Sequence, residues 1–248
     1  MNCVKCNLPI RAGEIAVRVS SLNGMTHGQC ANSANLSAQP QAQSVIGVVE
    51  KIVDGVPHIN GTGRPGDVWL QTHLGRQLRV PEWNHDAICL EETAYVLSGI
   101  HRFGARTDPY YTVSEHSVRV ADCIALLGGS ALEQFVGINH EGDEALLGFD
   151  PASPLLRLLP DLKALKRLAH ESYMRRYGLP IELPAIVKHA DLVLLATEKR
   201  DLMQPEPMRW MELPEPLKTK IVPWPNPYAR FVQRWRELAQ AANYQGKE

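Results

Sequence analysis

From Pro81 onward apolar residues return every three or four positions in successive segments, and each segment is bounded by proline, glycine or a capping side chain. This spacing predicts helices over 89–101, 114–127, 130–147, 154–177, 183–203 and 228–242, with Ser114 and Ser130 as caps. Helices of this kind bury their apolar stripes against one another, so the expected class is mainly α, a helical bundle. The leucines at 155, 156, 158, 159, 162 and 165 fall at helical spacing and are assigned to its core. The stretch before Pro81 has a different texture. VIGVVEKIV and DVWLQTHLGRQLRV alternate as strands do, around the turn-rich INGTGRPG, and the second reads as a small β-hairpin turning near Leu74 and Gly75.

The chain opens with a metal pattern. Cys3 and Cys6 form a CxxC and His27 and Cys30 an HxxC, with Pro9, Gly13 and Gly24 marking turns around the alternating stretch Ile15 to Val19. Four soft ligands complete a tetrahedron, so residues 1–32 are expected to form a closed, structural zinc knuckle, its spacing similar to half of a LIM domain. The polar run ANSANLSAQPQAQS then predicts a flexible linker over 33–44, leaving 45–248 as the main domain. Cys89 and Cys123 stand alone in apolar surroundings and read as small buried hydrophobes.

A net charge of −1 gives no field to hold a long nucleic acid by counterion release, though a small anion needs only local positive charge. No apolar run approaches the roughly 18 residues of a membrane span, and the first residues lack a signal-peptide core. The expectation is a cytoplasmic protein without a membrane partner. The knuckle leaves three roles open: pinning a homo-oligomer, recruiting a protein, or stabilising thirty residues that lack a core of their own.

In the bundle, ligand-type residues fall on three predicted helices: His116, the pair His140 and Glu141, and Asp191. Imidazoles with carboxylates suit a divalent ion held with an open position, which acidifies water into a nucleophile. Glu144 lies four residues after His140, on the same face of one predicted helix, and is a candidate general acid.

These residues resemble a known family. From Asp67 to about Leu238 the chain is similar to the HD-domain 5′-deoxynucleotidases and related phage phosphohydrolases. The resemblance is carried by DVWLQTHLGRQLRVP, YVLSGIHRFGARTDPYYTVSEHS, INHEGDEALLGFDPASPLLRLLPD and VKHADLVLLATEKRDLM. It implies an HD-domain bundle that hydrolyses the phosphate of a small deoxynucleotide, with metal ligation by His116, His140, position 141 and Asp191. It implies Glu144 as the catalytic glutamate, Arg102 gripping the phosphate, Phe103 beside the sugar, and Asp150 reaching the sugar 3′-hydroxyl. The guanidinium fork of Arg102 suits phosphate oxygens on chemical grounds as well.

The sequence departs from that pattern at one position. Where the family has an HD dipeptide, this chain has His140 followed by Glu141, which carries the carboxylate about one methylene farther out. Three readings stand side by side: a phosphomonoesterase, a dNTP phosphohydrolase releasing triphosphate or successive phosphates, and a nucleotide-binding or interaction protein without turnover. The ion is Co²⁺, Mn²⁺, Zn²⁺ or Mg²⁺, the longer arm favouring an adaptable one such as Mn²⁺ or Co²⁺. The histidines at 58, 73, 85, 101, 170 and 189 are assigned to ordinary core or surface roles, and Asp86 of PEWNHD to a helix cap. The basic residues Arg157, Lys163, Lys166, Arg167, Arg175 and Arg176 are read mostly as a solvated helix face.

Overall fold

A computed structural model describes residues 68–248 and, before them, four strands: β1 (Ala16–Arg18), β2 (Met25–His27), β3 (Val48–Val53) and β4 (Val56–Asn60). The chain divides into two compact units, Met1–Ser44 and Val45–Glu248. In the first, β1 and β2 pair antiparallel with Ala16 opposite His27. Cys3, Cys6 and Cys30 of the expected knuckle lie outside the described residues, as do the side chain of His27 and the expected linker.

In the second unit β3 and β4 form an antiparallel hairpin whose register shifts between Val49 and Lys51. A further hairpin follows, β5 (Trp69–Gln71) against β6 (Gln77–Arg79). Its turn is closed by Gly75 at φ +74, a left-handed conformation that glycine adopts without a Cβ clash.

The rest is mainly helical: α1 (Leu90–Gly99), α2 (Val113–Leu126), α3 (Ala131–Asn139), α4 (Gly142–Leu147), α5 (Ser153–Leu158), α6 (Pro160–Arg176), α7 (Ala185–Leu202) and α8 (Pro227–Ala241). Helix α2 is central and packs against α1, α3, α7 and α8. Thr112 caps it, rather than Ser114, by accepting the Glu115 N–H. Ser130 and Glu133 form a reciprocal capping box on α3. Behind α3 the rings of Phe135, Tyr177 and Trp235 pack at 5.1 to 5.5 Å. Trp235 Nε1 and Tyr173 Oη both donate to Asn139 Oδ1, at 2.9 and 3.0 Å, which fixes the end of α3 one residue before His140.

Two expected helices are each broken in two. The segment 130–147 ends at Asn139 and restarts at Gly142, with Glu141 at φ −101, ψ 18. Tyr173 wedges the break, since a Cβ on Gly142 would lie 2.0 Å from its ring. The segment 154–177 breaks at Leu159 (φ −121, ψ 80), as expected of a residue before proline, whose ring disfavours the helical region. The leucines of α5 and Leu159 are therefore not core, whereas Leu165 of α6 packs against the core. Helix α5 buries none of its residues; Leu155 and Leu159 are about half exposed and Leu158 76% exposed, because this short helix packs mainly on α6. Among the described residues no helix is long and apolar enough to cross a membrane.

Candidate metal centre

The break between α3 and α4 is what assembles the site. In a continuous helix neighbours diverge by about 100°, so His140 and Glu141 would face apart. At the break both turn inward, and His140 Nε2 stands 3.5 Å from Glu141 Oε1. The early part of α2 supplies His116 and α7 supplies Asp191, whose Oδ1 is 3.1 Å from His116 Nε2 and 3.9 Å from His140 Nε2. One ligand atom from each of these four residues lies within 4.8 Å of all the others. Glu144 belongs to the next helix rather than to that of His140, so the single-face reading of the pair does not hold.

The donor chemistry fits a divalent cation. Both Nε2 atoms are buried with no hydrogen-bond partner; Asp191 approaches His116 outside hydrogen-bond geometry. The opposite ring nitrogens are engaged, His140 Nδ1 with Gly137 O at 2.7 Å and His116 Nδ1 with Glu198 Oε1 at 2.6 Å. A neutral imidazole that donates from Nδ1 keeps its Nε2 lone pair aimed at the common centre.

Glu198 is the residue that sequence reasoning missed. Fully buried, it also accepts from Arg102 Nε at 3.2 Å and faces Nη2 at 3.2 Å, so it ties Arg102 to the first histidine. The available signal was its place seven residues after Asp191, two turns along the same helix face. Arg102, expected to grip substrate phosphate, is itself buried beneath the cluster and also donates from Nη1 to Glu141 Oε1 at 3.3 Å. It opens a turn in which Phe103, Gly104 and Ala105 all take positive φ (55, 60 and 61). Two non-glycine residues there hold strain, offset in part by the Phe103 N–H donating to Asp150 Oδ2 at 3.1 Å. Asp150 thus braces the turn that carries Arg102. The Phe103 ring lies 5.2 Å from the guanidinium and 6.3 Å from Trp210, an aromatic pair that the sequence did not single out.

Charges divide sharply across the site. Burial and the Arg102 cation push His116 down, but Glu198 and Asp191 outweigh them and raise it to about 9. Burial, only partly opposed by Glu141 and Asp191, holds His140 below its ordinary value. Burial alone would raise Glu141, yet His140, Lys166 and Arg102 hold it well below the usual carboxylate range. Glu144 goes the other way, driven well above that range by burial and then by the Glu141 charge. Its Oε2 is buried without a partner while Oε1 accepts from Lys166 at 3.1 Å.

Lys166 is not part of a solvated face. It pairs with Asp143 and Glu144 and stands 3.7 Å from Glu141 Oε2. His170 also departs from its ordinary assignment, with Nδ1 3.5 Å from Asp143 Oδ1. A cleft of about 620 Å³ opens over His140, Glu141, Asp143 and Asp191, with Lys163, Lys166, Arg167 and His170 on its α6 wall; Glu144 does not line it but meets Lys166 at 3.1 Å. His189 is exposed, and Asp86 accepts from Asn84 Nδ2 at 2.6 Å, so neither joins the cluster.

No protein-family model matches the chain. A curated relative, the protein YfdR of Escherichia coli (strain K12), is 31% identical over 177 residues. That match takes in 69% of this chain and 96% of the relative. The chain belongs to the YfdR family. YfdR is described as uncharacterized, so the family brings no activity with it, and the chemistry must be argued from the metal centre.

Proposed function

We propose that the second unit is an HD-domain phosphohydrolase that uses one divalent ion to cleave the phosphate ester of a small deoxynucleotide. The observation that carries this reading is the convergence of His116, His140, Glu141 and Asp191 with two unpartnered imidazole nitrogens, the last three of these residues lining a cleft with a cationic wall. A bound divalent ion would supply the Lewis acidity that makes water nucleophilic at neutral pH. Water attacks phosphorus, the bond from phosphorus to the 5′-oxygen breaks, and the nucleoside oxygen takes a proton. Glu144 is suited to give that proton because burial and Glu141 keep it protonated where other carboxyls are ionised. Lys166, touching Glu144 Oε1, steadies the carboxylate left behind. Phe103 and Trp210 offer an apolar surface for the nucleoside, while Arg102 adds positive charge beneath the phosphate. Glu141 sits inside the cluster despite its longer arm, which favours a working site over a binding-only protein.

The experiment is elemental analysis followed by phosphate counting on dAMP and dATP with Mn²⁺, Co²⁺, Zn²⁺ and Mg²⁺. Turnover should require the ion, and Glu144→Gln should lower it about 10² to 10⁴-fold while metal stays bound. Asp143→Asn, altering the carboxyl that lines the cleft, is the comparison; if it alone abolishes turnover, the acid is Asp143. Metal binding with no hydrolysis of either nucleotide under any ion would refute the phosphohydrolase.

A further inference from the structure

The connection from α7 to α8 is held unevenly. Its second half is fastened to the bundle: the Leu217 N–H donates to Thr197 Oγ1 at 2.9 Å, the Ile221 N–H to Asp201 Oδ2 at 2.8 Å and the Trp224 N–H to Glu115 Oε2 at 2.9 Å. Its first half is not. Over 203–216 one hydrogen bond is made among the described residues, from the Trp210 N–H to Glu206 Oε2 at 3.2 Å, and Glu206 in turn pairs with Lys199 of α7. Pro205, Pro207, Pro214 and Pro216 have no N–H to give. A segment with so few bonds opens at low cost.

Trp210 stands out on this loop. Residues 204–209 and 211–212 are exposed, Met208 and Met211 among them at 79% and 64%, while Trp210 is half-buried. It does not join the apolar core. It meets instead the Phe103 ring, at 6.3 Å and 49°, and the Lys199 ammonium, 5.3 Å from the centre of its own ring. Phe103 is itself placed at a cost, its φ of +55 braced by Asp150. Arg102 bridges from this aromatic pair to the metal cluster, with Nη1 3.3 Å from Glu141 Oε1 and the guanidinium 5.2 Å from the Phe103 ring. The pair therefore stands one guanidinium away from a metal ligand, as the base of a nucleotide stands one sugar away from its phosphate.

We propose that Trp210 recognises the nucleobase, closing over it from the loosely held loop, and that this makes the site selective for purine over pyrimidine deoxynucleotides. The inference rests on the phosphohydrolase reading, which puts the phosphate at the metal, and it names the base that reading leaves open. Every base has a π-face that can stack on an aromatic ring. The gain grows with the area of overlap, so a two-ring purine covers the two-ring indole and a pyrimidine only part of it. Glu206 and Lys199 act through Trp210, holding it from the helix that also carries Asp191.

The test is titration calorimetry of the metal-loaded full chain with dAMP, dGMP, dCMP, TMP and deoxyribose 5-phosphate, which lacks a base, on the parent and on Trp210→Ala. The parent should bind the two purine nucleotides most tightly and deoxyribose 5-phosphate least. Trp210→Ala should weaken the purine nucleotides by about 5 to 100-fold, the usual worth of one base stacked on one ring, and change deoxyribose 5-phosphate by less than about twofold. Trp210→Phe, with a smaller ring, should keep part of the purine preference. Equal binding of purine and pyrimidine nucleotides by the parent, equal loss of all five ligands in the alanine variant, or no binding of any of them would overturn the proposal. Phosphate release is followed in parallel, where the alanine change should raise KM more than it lowers kcat. Purine-selective binding without phosphate release would remove the phosphohydrolase and leave Trp210 its role. Release from all five at equal affinity would do the reverse.

Discussion

Glu198→Gln is the most informative single change, because it keeps the shape of a fully buried side chain and removes only its charge. Glu198 accepts one hydrogen bond from Arg102 Nε at 3.2 Å and one from His116 Nδ1 at 2.6 Å, with Arg102 Nη2 a further 3.2 Å contact. Removing one member of a buried ion pair costs about 3 to 5 kcal/mol, because the other charge is left uncompensated. The amide still accepts one bond, so the lower end, about 3 kcal/mol, is expected. In a domain of this size that lowers Tm by about 6 to 12 °C in the metal-free protein. The second effect is specific to the site. A carboxylate behind a ligating histidine sets its tautomer and basicity, and its loss weakens metal binding about 10 to 100-fold. His116 should also fall from about 9, because Glu198 is the first of the groups that raise it. The assays are denaturation in EDTA and metal titration by calorimetry. Adding Arg102→Met to Glu198→Gln should recover part of the stability, since the buried guanidinium that lost Glu198 is gone while Glu141 keeps Lys166 at 3.7 Å, yet leave metal affinity low. If Glu198→Gln binds metal within about twofold of the parent, the carboxylate does not orient His116 and the second-layer role is wrong.

Glu141→Ala should lose metal affinity and Glu141→Asp keep it, as measured by titration; unchanged affinity in the alanine variant would leave the metal on His116, His140 and Asp191 alone. Gly142→Ala should destabilise the fold by about 1 to 3 kcal/mol, since its Cβ meets the Tyr173 ring within 2.3 Å, and denaturant midpoints check it. The pH dependence follows from His116, raised in the folded metal-free protein from an ordinary 6.5 to about 9. Its proton stabilises the metal-free fold fully below about 6.5 and that contribution is lost as pH rises through about 9. Metal must displace the proton, so apparent affinity should climb over the same window with about one proton released, as read by calorimetry in buffers of different ionisation enthalpy.

Local pattern determined much of this protein. Helical spacing predicted the bundle, alternation predicted the hairpin turning at Gly75, and chemistry-bearing residue types picked out His116, His140, Glu141 and Asp191, which the fold brings within 4.8 Å of one another. The continuous reading of 154–177 passed over a local signal, Pro160, whose effect on Leu159 is confined to neighbouring residues. Tertiary structure decided the rest. The break at His140–Glu141 depends on Tyr173, thirty-one residues on, pressing against Gly142, and no local propensity encodes that contact. Whether the leucines of α5 are core depends on how much covers them, and α6 covers them only in part. Lys166, Glu144 and Glu198 depend on the same kind of fact. A charge pattern on one helix says which face is polar but not whether that face meets water or another helix's carboxylates. That difference in surroundings turns Lys166 into an internal counter-ion and Glu198 into the support of His116, and keeps the proton on Glu144.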